Sequence, residues 1–192
     1  MIRHIIAGVI AVCIWAQAAQ SQELIYSKDL EGSRWHIDCY EFENKFHACQ
    51  AWVMWKAVPG YGDLGMSISL NGKIDRMSLV VLGTEAEIEK KPHRIGFAFH
   101  GKGAWPNMTA LGVHVTGMQG YLVQGTTPYK LIDDMMDAET MSLMIDGEEK
   151  AVLSLRGSRV ALTQLFQITM AYSGQKIFLG ERNSKRGFSH GK

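Results

Sequence analysis

The sequence predicts a mainly β protein: an antiparallel β-sandwich of about eight or nine strands, with two short helices in the C-terminal third. Three observations carry this. Short runs alternate apolar and polar residues at period two, as in Met66-Ser67-Ile68-Ser69-Leu70. Gly-containing turns recur at short spacing, among them Asn71-Gly72 and Asp146-Gly147. Helical spacing of apolar residues shows only beyond Thr127, and nothing alternates as βαβ.

The chain has 192 residues, with 20 Lys+Arg, 19 Asp+Glu and three cysteines. Such a chain is too apolar and too neutral for intrinsic disorder, and it lacks the basic excess of a nucleic-acid binder. Its first segment predicts export. Arg3 supplies a positive start, Ile5 to Trp15 is an uncharged apolar run, and Ala16-Gln17-Ala18 fits a cleavage site. Residues 1–18 are therefore read as a signal peptide, with cleavage after Ser21 as the alternative. The run is shorter than the roughly 20 residues a membrane-spanning helix needs. No later stretch is apolar enough to span, so no transmembrane segment is expected after cleavage. The body is expected as one domain over residues 22–175, and residues 181–192 as a disordered basic tail.

Export would remove Cys13 and leave Cys39 and Cys49, which read as a disulfide. A hairpin centred on Asn44 pairs Cys39 with Cys49, Ile37 with Ala51 and Trp35 with Val53, all on one face. It also sets His36 opposite Trp52 and His47 opposite Glu41.

The remaining elements follow in order. Gln22 to Ser33 reads as a polar lead-in, and Pro59 to Gly65 as a glycine-rich loop. Met66–Leu70 and Arg76–Leu82 form a hairpin about Asn71-Gly72. Glu85–Lys91 is a solvated connection, Arg94–Phe99 a strand, and Gly101–Asn107 a turn. Leu111–Thr116 and Met118–Gln124 make a strand pair. Thr127-Pro128 starts a helix over Tyr129–Asp137, with Tyr129, Ile132 and Met136 on one face. Thr140–Ile145 and Ala151–Leu155 flank Asp146-Gly147. Ser158 caps a helix over 159–172 that carries Leu162, Leu165, Phe166 and Ile168.

Chemistry-bearing patterns are sparse. Gly60-Tyr61-Gly62-Asp63-Leu64-Gly65 spells a dinucleotide motif, yet a strand follows where a phosphate-binding helix must open. His36, His47, His93, His100 and His114 show no metal-ligand spacing. Asp133-Asp134 and Glu148-Glu149 point apart or lie in a turn. No catalytic, cofactor or metal residue is nominated. Trp52, Trp55, Tyr61 and Trp105 form the candidate binding surface, because exposed aromatics mark interaction sites. Met135, Met136, Met141 and Met144 read as adaptable core filler.

Three features together resemble the invasion-associated locus B family of exported bacterial proteins. They are the Trp35-x-x-x-Cys39 strand with Cys49-Gln50 after it, the alternating middle, and the closing run from Leu131 through Met141–Ile145 to Val152-Leu153-Ser154-Leu155-Arg156-Gly157-Ser158. A second cysteine pair carried by many members has no counterpart in residues 115–122. The resemblance implies a β-sandwich with a helical cover. It also implies a periplasmic or surface location and a non-enzymatic accessory role toward a host, protein or envelope partner. Two other readings stand beside it: a periplasmic small-ligand module with an aromatic pocket, and a metal-dependent hydrolase built on converging histidines.

Overall fold

In the computed structural model, residues 22–42, 47–71, 77–89, 91–115, 117–123 and 129–173 are described. The predicted signal peptide, Thr127-Pro128, the Gly72 side of the Asn71-Gly72 turn and the basic tail lie outside them.

The described residues form ten strands: β1 (Gln22–Asp29), β2 (Trp35–Phe42), β3 (His47–Val58), β4 (Gly62–Asn71), β5 (Met77–Gly83), β6 (Pro92–Phe99), β7 (Gly103–Val115), β8 (Met118–Val123), β9 (Thr140–Ile145) and β10 (Glu148–Ser154). Two helices accompany them, α1 (Tyr129–Asp137) and α2 (Ser158–Ser173). All strand pairs are antiparallel, in the order β1-β2-β3-β4-β5-β8-β7-β6-β9-β10. The mainly β, antiparallel expectation holds. The strands are hydrogen-bonded in one continuous order, which does not by itself show the two stacked layers of a sandwich.

This sheet curls so that its inner face encloses one core. Period-two alternation sends Ile37, Cys39, Cys49, Ala51, Met66, Ile68, Leu79, Phe97 and Leu143 inward, all nearly or fully buried. The expected hairpin register is found intact, Cys39 against Cys49, Ile37 against Ala51 and Trp35 against Val53. The Cys39–Cys49 disulfide is formed, with Cα atoms 4.0 Å apart. Helix α2 lies in the trough against β2, β3 and β4, burying Ala161, Leu162 and Leu165. Far along the chain, Trp55 donates its indole N–H to the Ser154 carbonyl at 2.9 Å, joining β3 to the end of β10.

Several boundaries differ from expectation. Gln22–Asp29 is a strand and not a lead-in; it pairs with β2 along its length. Gly62 to Gly65 belongs to β4. Most of the Gly101–Asn107 turn is the start of β7, with Pro106 falling where the β6–β7 register slips between Ile95 and Phe97, so its missing N–H costs little. Helix α1 buries Leu131, Ile132 and Met135, and the expected face meets α2: Tyr129, itself exposed, lies 6.4 Å from the Phe166 ring, and Met136 Sδ accepts from the Thr163 hydroxyl. Ser158 opens α2, but its hydroxyl donates to the Met135 carbonyl at 2.7 Å and so ties the two helices together.

Candidate functional site

The β5–β6 connection is more than a solvated link, since Ala86 and Ile88 are buried in the core. It crosses the inner face of β7 and β8 and plugs one end of the trough. Gln119 Oε1 accepts from the Ile88 N–H at 2.9 Å, and His114 Nε2 donates to the Ile88 carbonyl at 2.9 Å. The crossing is close enough that a Cβ at Gly112 would sit 2.1 Å from the Glu89 carbonyl oxygen.

Beside this plug lies a cleft of about 430 Å³. The β3–β4 turn forms one wall with Pro59, Gly60 and Tyr61, and the β9–β10 hairpin forms the other with Asp146, Glu148 and Lys150. Ile88 and Tyr121 line it between them. The Tyr61 and Tyr121 hydroxyls are hydrogen-bonded, and burial, the larger influence, pushes both phenols up and keeps them neutral. Asp146 adopts a left-handed φ of 51° in the hairpin turn. Its carboxylate accepts from the Arg94 N–H at 2.8 Å and from His93 Nδ1 at 2.9 Å, and these bonds, the Arg94 one first, hold it below the usual carboxylate range. Glu148 pairs with Lys150. The cleft is therefore largely polar and braced by internal hydrogen bonds.

A second constellation sits on the sheet's outer face. His36 Nδ1 donates to Asp29 Oδ1 at 2.7 Å and its Nε2 to Asp38 Oδ1 at 2.8 Å. Trp52, stacked on His36 with ring centroids 4.9 Å apart, donates to Asp38 Oδ2 at 2.8 Å. Asp38 is only 1% exposed. Burial pushes its carboxyl up, but hydrogen bonds from His36 and Trp52 reverse this and hold it low. Burial likewise pulls His36 down, and the Asp38 and Asp29 bonds together override it, so the ring is raised above its ordinary value.

Ser27 Oγ lies 2.9 Å from His36 Nε2, so Ser27, His36 and Asp29 align like a nucleophile, a base and its orienting carboxylate. Asp38 decides what this alignment can do. It competes with Ser27 for Nε2 and, with Asp29, raises the ring above its ordinary value, so Nε2 is shared between the serine hydroxyl and a buried carboxylate.

The four aromatics of the candidate binding surface go to four places. Trp52 is buried on the outer face, Trp55 in the core, and half-buried Trp105 donates to Asp134 Oδ2 at 2.8 Å. Only Tyr61 of the four lines the cleft. The aromatic pocket expected from them is thus not assembled. His93 and His114 each donate to a carbonyl of the plug, His100 is exposed, and no group of metal-binding residues forms among the described residues. His47 stands opposite Glu41 as the register requires. Asp133 faces solvent while Asp134 is buried against Trp105 and Lys130, so the adjacent carboxylates part as helix geometry demands. Glu148 and Glu149 are both exposed. In the glycine motif, Gly62 begins a strand, and its φ of +64° lets the backbone approach Thr84, whose hydroxyl a Cβ would meet at 2.5 Å. Sequence reading missed Tyr121, Asp146 and Asp38; only the position of Asp38, two residues from His36 on one strand face, hinted at the pairing.

No helix among the described residues is long and apolar enough to cross a membrane. No family model matches the chain, and no curated protein or solved structure matches it.

Proposed function

We propose that this chain is an exported, non-enzymatic accessory domain that works in the periplasm or at the cell surface through contacts with a protein or envelope partner. The observation that carries this reading is the buried Cys39–Cys49 bridge, since such structural disulfides persist in oxidising compartments. The signal-like N-terminus and the resemblance to invasion-associated locus B proteins support the same reading. Fractionation of the native host, with thiol labelling of the isolated protein, tests it. The expected result is a shortened chain outside the cytosol with no reactive thiol. A full-length cytosolic protein with Cys39 and Cys49 labelled sinks the proposal.

A second reading, a small-ligand module, is favoured by the Tyr61–Tyr121 cleft. Its polar lining suits a ligand rich in hydroxyl or amine groups rather than an aromatic one. Screening such compounds by thermal shift, with Tyr121→Phe as comparison, tests it. Hits whose shift Tyr121→Phe leaves intact place binding elsewhere.

A further inference from the structure

We infer that His36 makes the attachment of the edge strand β1 pH-dependent, adding a tie from β2 to Asp29 when protonated and weakening it when neutral. Strand β1 pairs with β2 alone, and its ladder is interrupted between Leu24 and Tyr26. The ladder and the packing of Ile25 and Tyr26 hold the strand, and side chains near Asp29 add to them at its C-terminal end, where the clamp sits.

The groups facing His36 come from three strands. From β1 come Ser27 and Asp29, from β2 Asp38, and from β3 Trp52. Tyr40, also on β2, lies close enough to feel the Asp38 charge and stays neutral, because burial, followed by that charge, raises its hydroxyl. The two acceptors of His36 are both carboxylates, so both ring nitrogens must carry hydrogen. A neutral imidazole has only one N–H, and one carboxylate then meets a lone pair. Asp38 keeps Trp52 and Ser27 as donors. Asp29 is the better solvated of the two, with its side chain 73% exposed. The tautomer that keeps the Nε2 hydrogen on buried Asp38 gives up the bond from Nδ1 to Asp29, the partner that belongs to β1.

The direction is fixed by linkage. The folded-state value of His36 lies above its ordinary 6.5, so the clamp is fully present below 6.5 and lost as pH rises through the folded value. At the acid end, Asp38 lies below its ordinary 3.8, so its share is lost only as pH falls through that lower value. Between these limits β1 is held. Above them, the end of β1 near Asp29 loses one tie and frays more readily, which exposes the facing part of the β2 edge more often.

Hydrogen exchange followed by NMR from pH 5.5 to 9 tests this on the full, disulfide-intact chain, corrected for intrinsic exchange. Amides of β1 should lose about twofold to fivefold protection across the His36 titration, while amides of β6 keep theirs. His36→Gln should give β1 low protection with no pH dependence. Asp29→Asn, which leaves the buried Asp38 untouched, should lower the His36 midpoint and flatten the loss. Unchanged β1 protection in the parent chain across the titration, or the same pH profile in His36→Gln, overturns the inference.

Discussion

Trp52 and Asp38 are bound across the β2–β3 pair, indole N–H to carboxylate at 2.8 Å, on the face opposite the disulfide. The pairing lets a carboxylate remain charged where water scarcely reaches it, because each oxygen has a donor: Trp52 on one, His36 on the other.

Trp52→Phe keeps an aromatic ring, though a smaller one, and removes the donor. A hydrogen bond to a buried charge contributes about 1.5–3 kcal/mol, so urea unfolding at pH 7 should show a loss of that order. The acid transition should also start at higher pH. The low carboxyl of Asp38 contributes stability above 3.8 that is lost as pH falls through its folded value, and Trp52→Phe raises that value. Circular dichroism across an acid titration checks it; coincident curves for variant and parent contradict the argument.

Replacing both Cys39 and Cys49 by Ser removes a cross-link between residues 10 apart. The chain-entropy account assigns such a loop about 3 kcal/mol. Denaturant midpoints of the double variant and of the reduced parent should fall together. A midpoint unchanged on reduction would mean that the hairpin is held by its apolar face alone.

Gly120→Ala should be among the most damaging small substitutions. Its Cβ would fall 1.8 Å from the Val81 carbonyl oxygen, and backbone cannot step aside as a side chain can. At Gly65 the nearest atoms are 3.8 Å away, so Gly65→Ala fits. Thermal unfolding should separate the two variants by several degrees, since about 1 kcal/mol shifts a midpoint by 2–4 °C in a chain of this size.

Trp55→Phe tests the closure of the sheet. Loss of the bond to the Ser154 carbonyl should cost about 1 kcal/mol, and hydrogen exchange should quicken in β10 before it quickens in β4. Uniform quickening of all strands would instead assign the effect to core volume.

The β2–β3 hairpin was legible in the sequence because alternation and two cysteines fix one register between them. Strand β1 was not, since Gln-Glu-Leu-Ile-Tyr-Ser-Lys-Asp has no clean period and takes its form from the edge of β2. The single sheet was hidden for another reason. Its middle joins β5 to β8 and β6 to β9, and local patterns do not specify partners so distant in the chain. The cleft is hidden likewise, being assembled from turns near 60, 87 and 147 and from Tyr121, with no spacing rule to link them. The outer constellation was half visible: the register placed His36 beside Trp52, but Asp29 and Ser27 enter only once β1 is a strand.

The tryptophan bond between residues 55 and 154 spans 99 positions, and the helix that fills the trough comes later still. During N-to-C synthesis the early hairpins emerge with their apolar side unroofed. Leu162 and Leu165 arrive last and complete the interior. Until they do, the inner face of the strands keeps apolar surface open to water, and truncation before Ser158 should yield aggregate rather than a smaller domain.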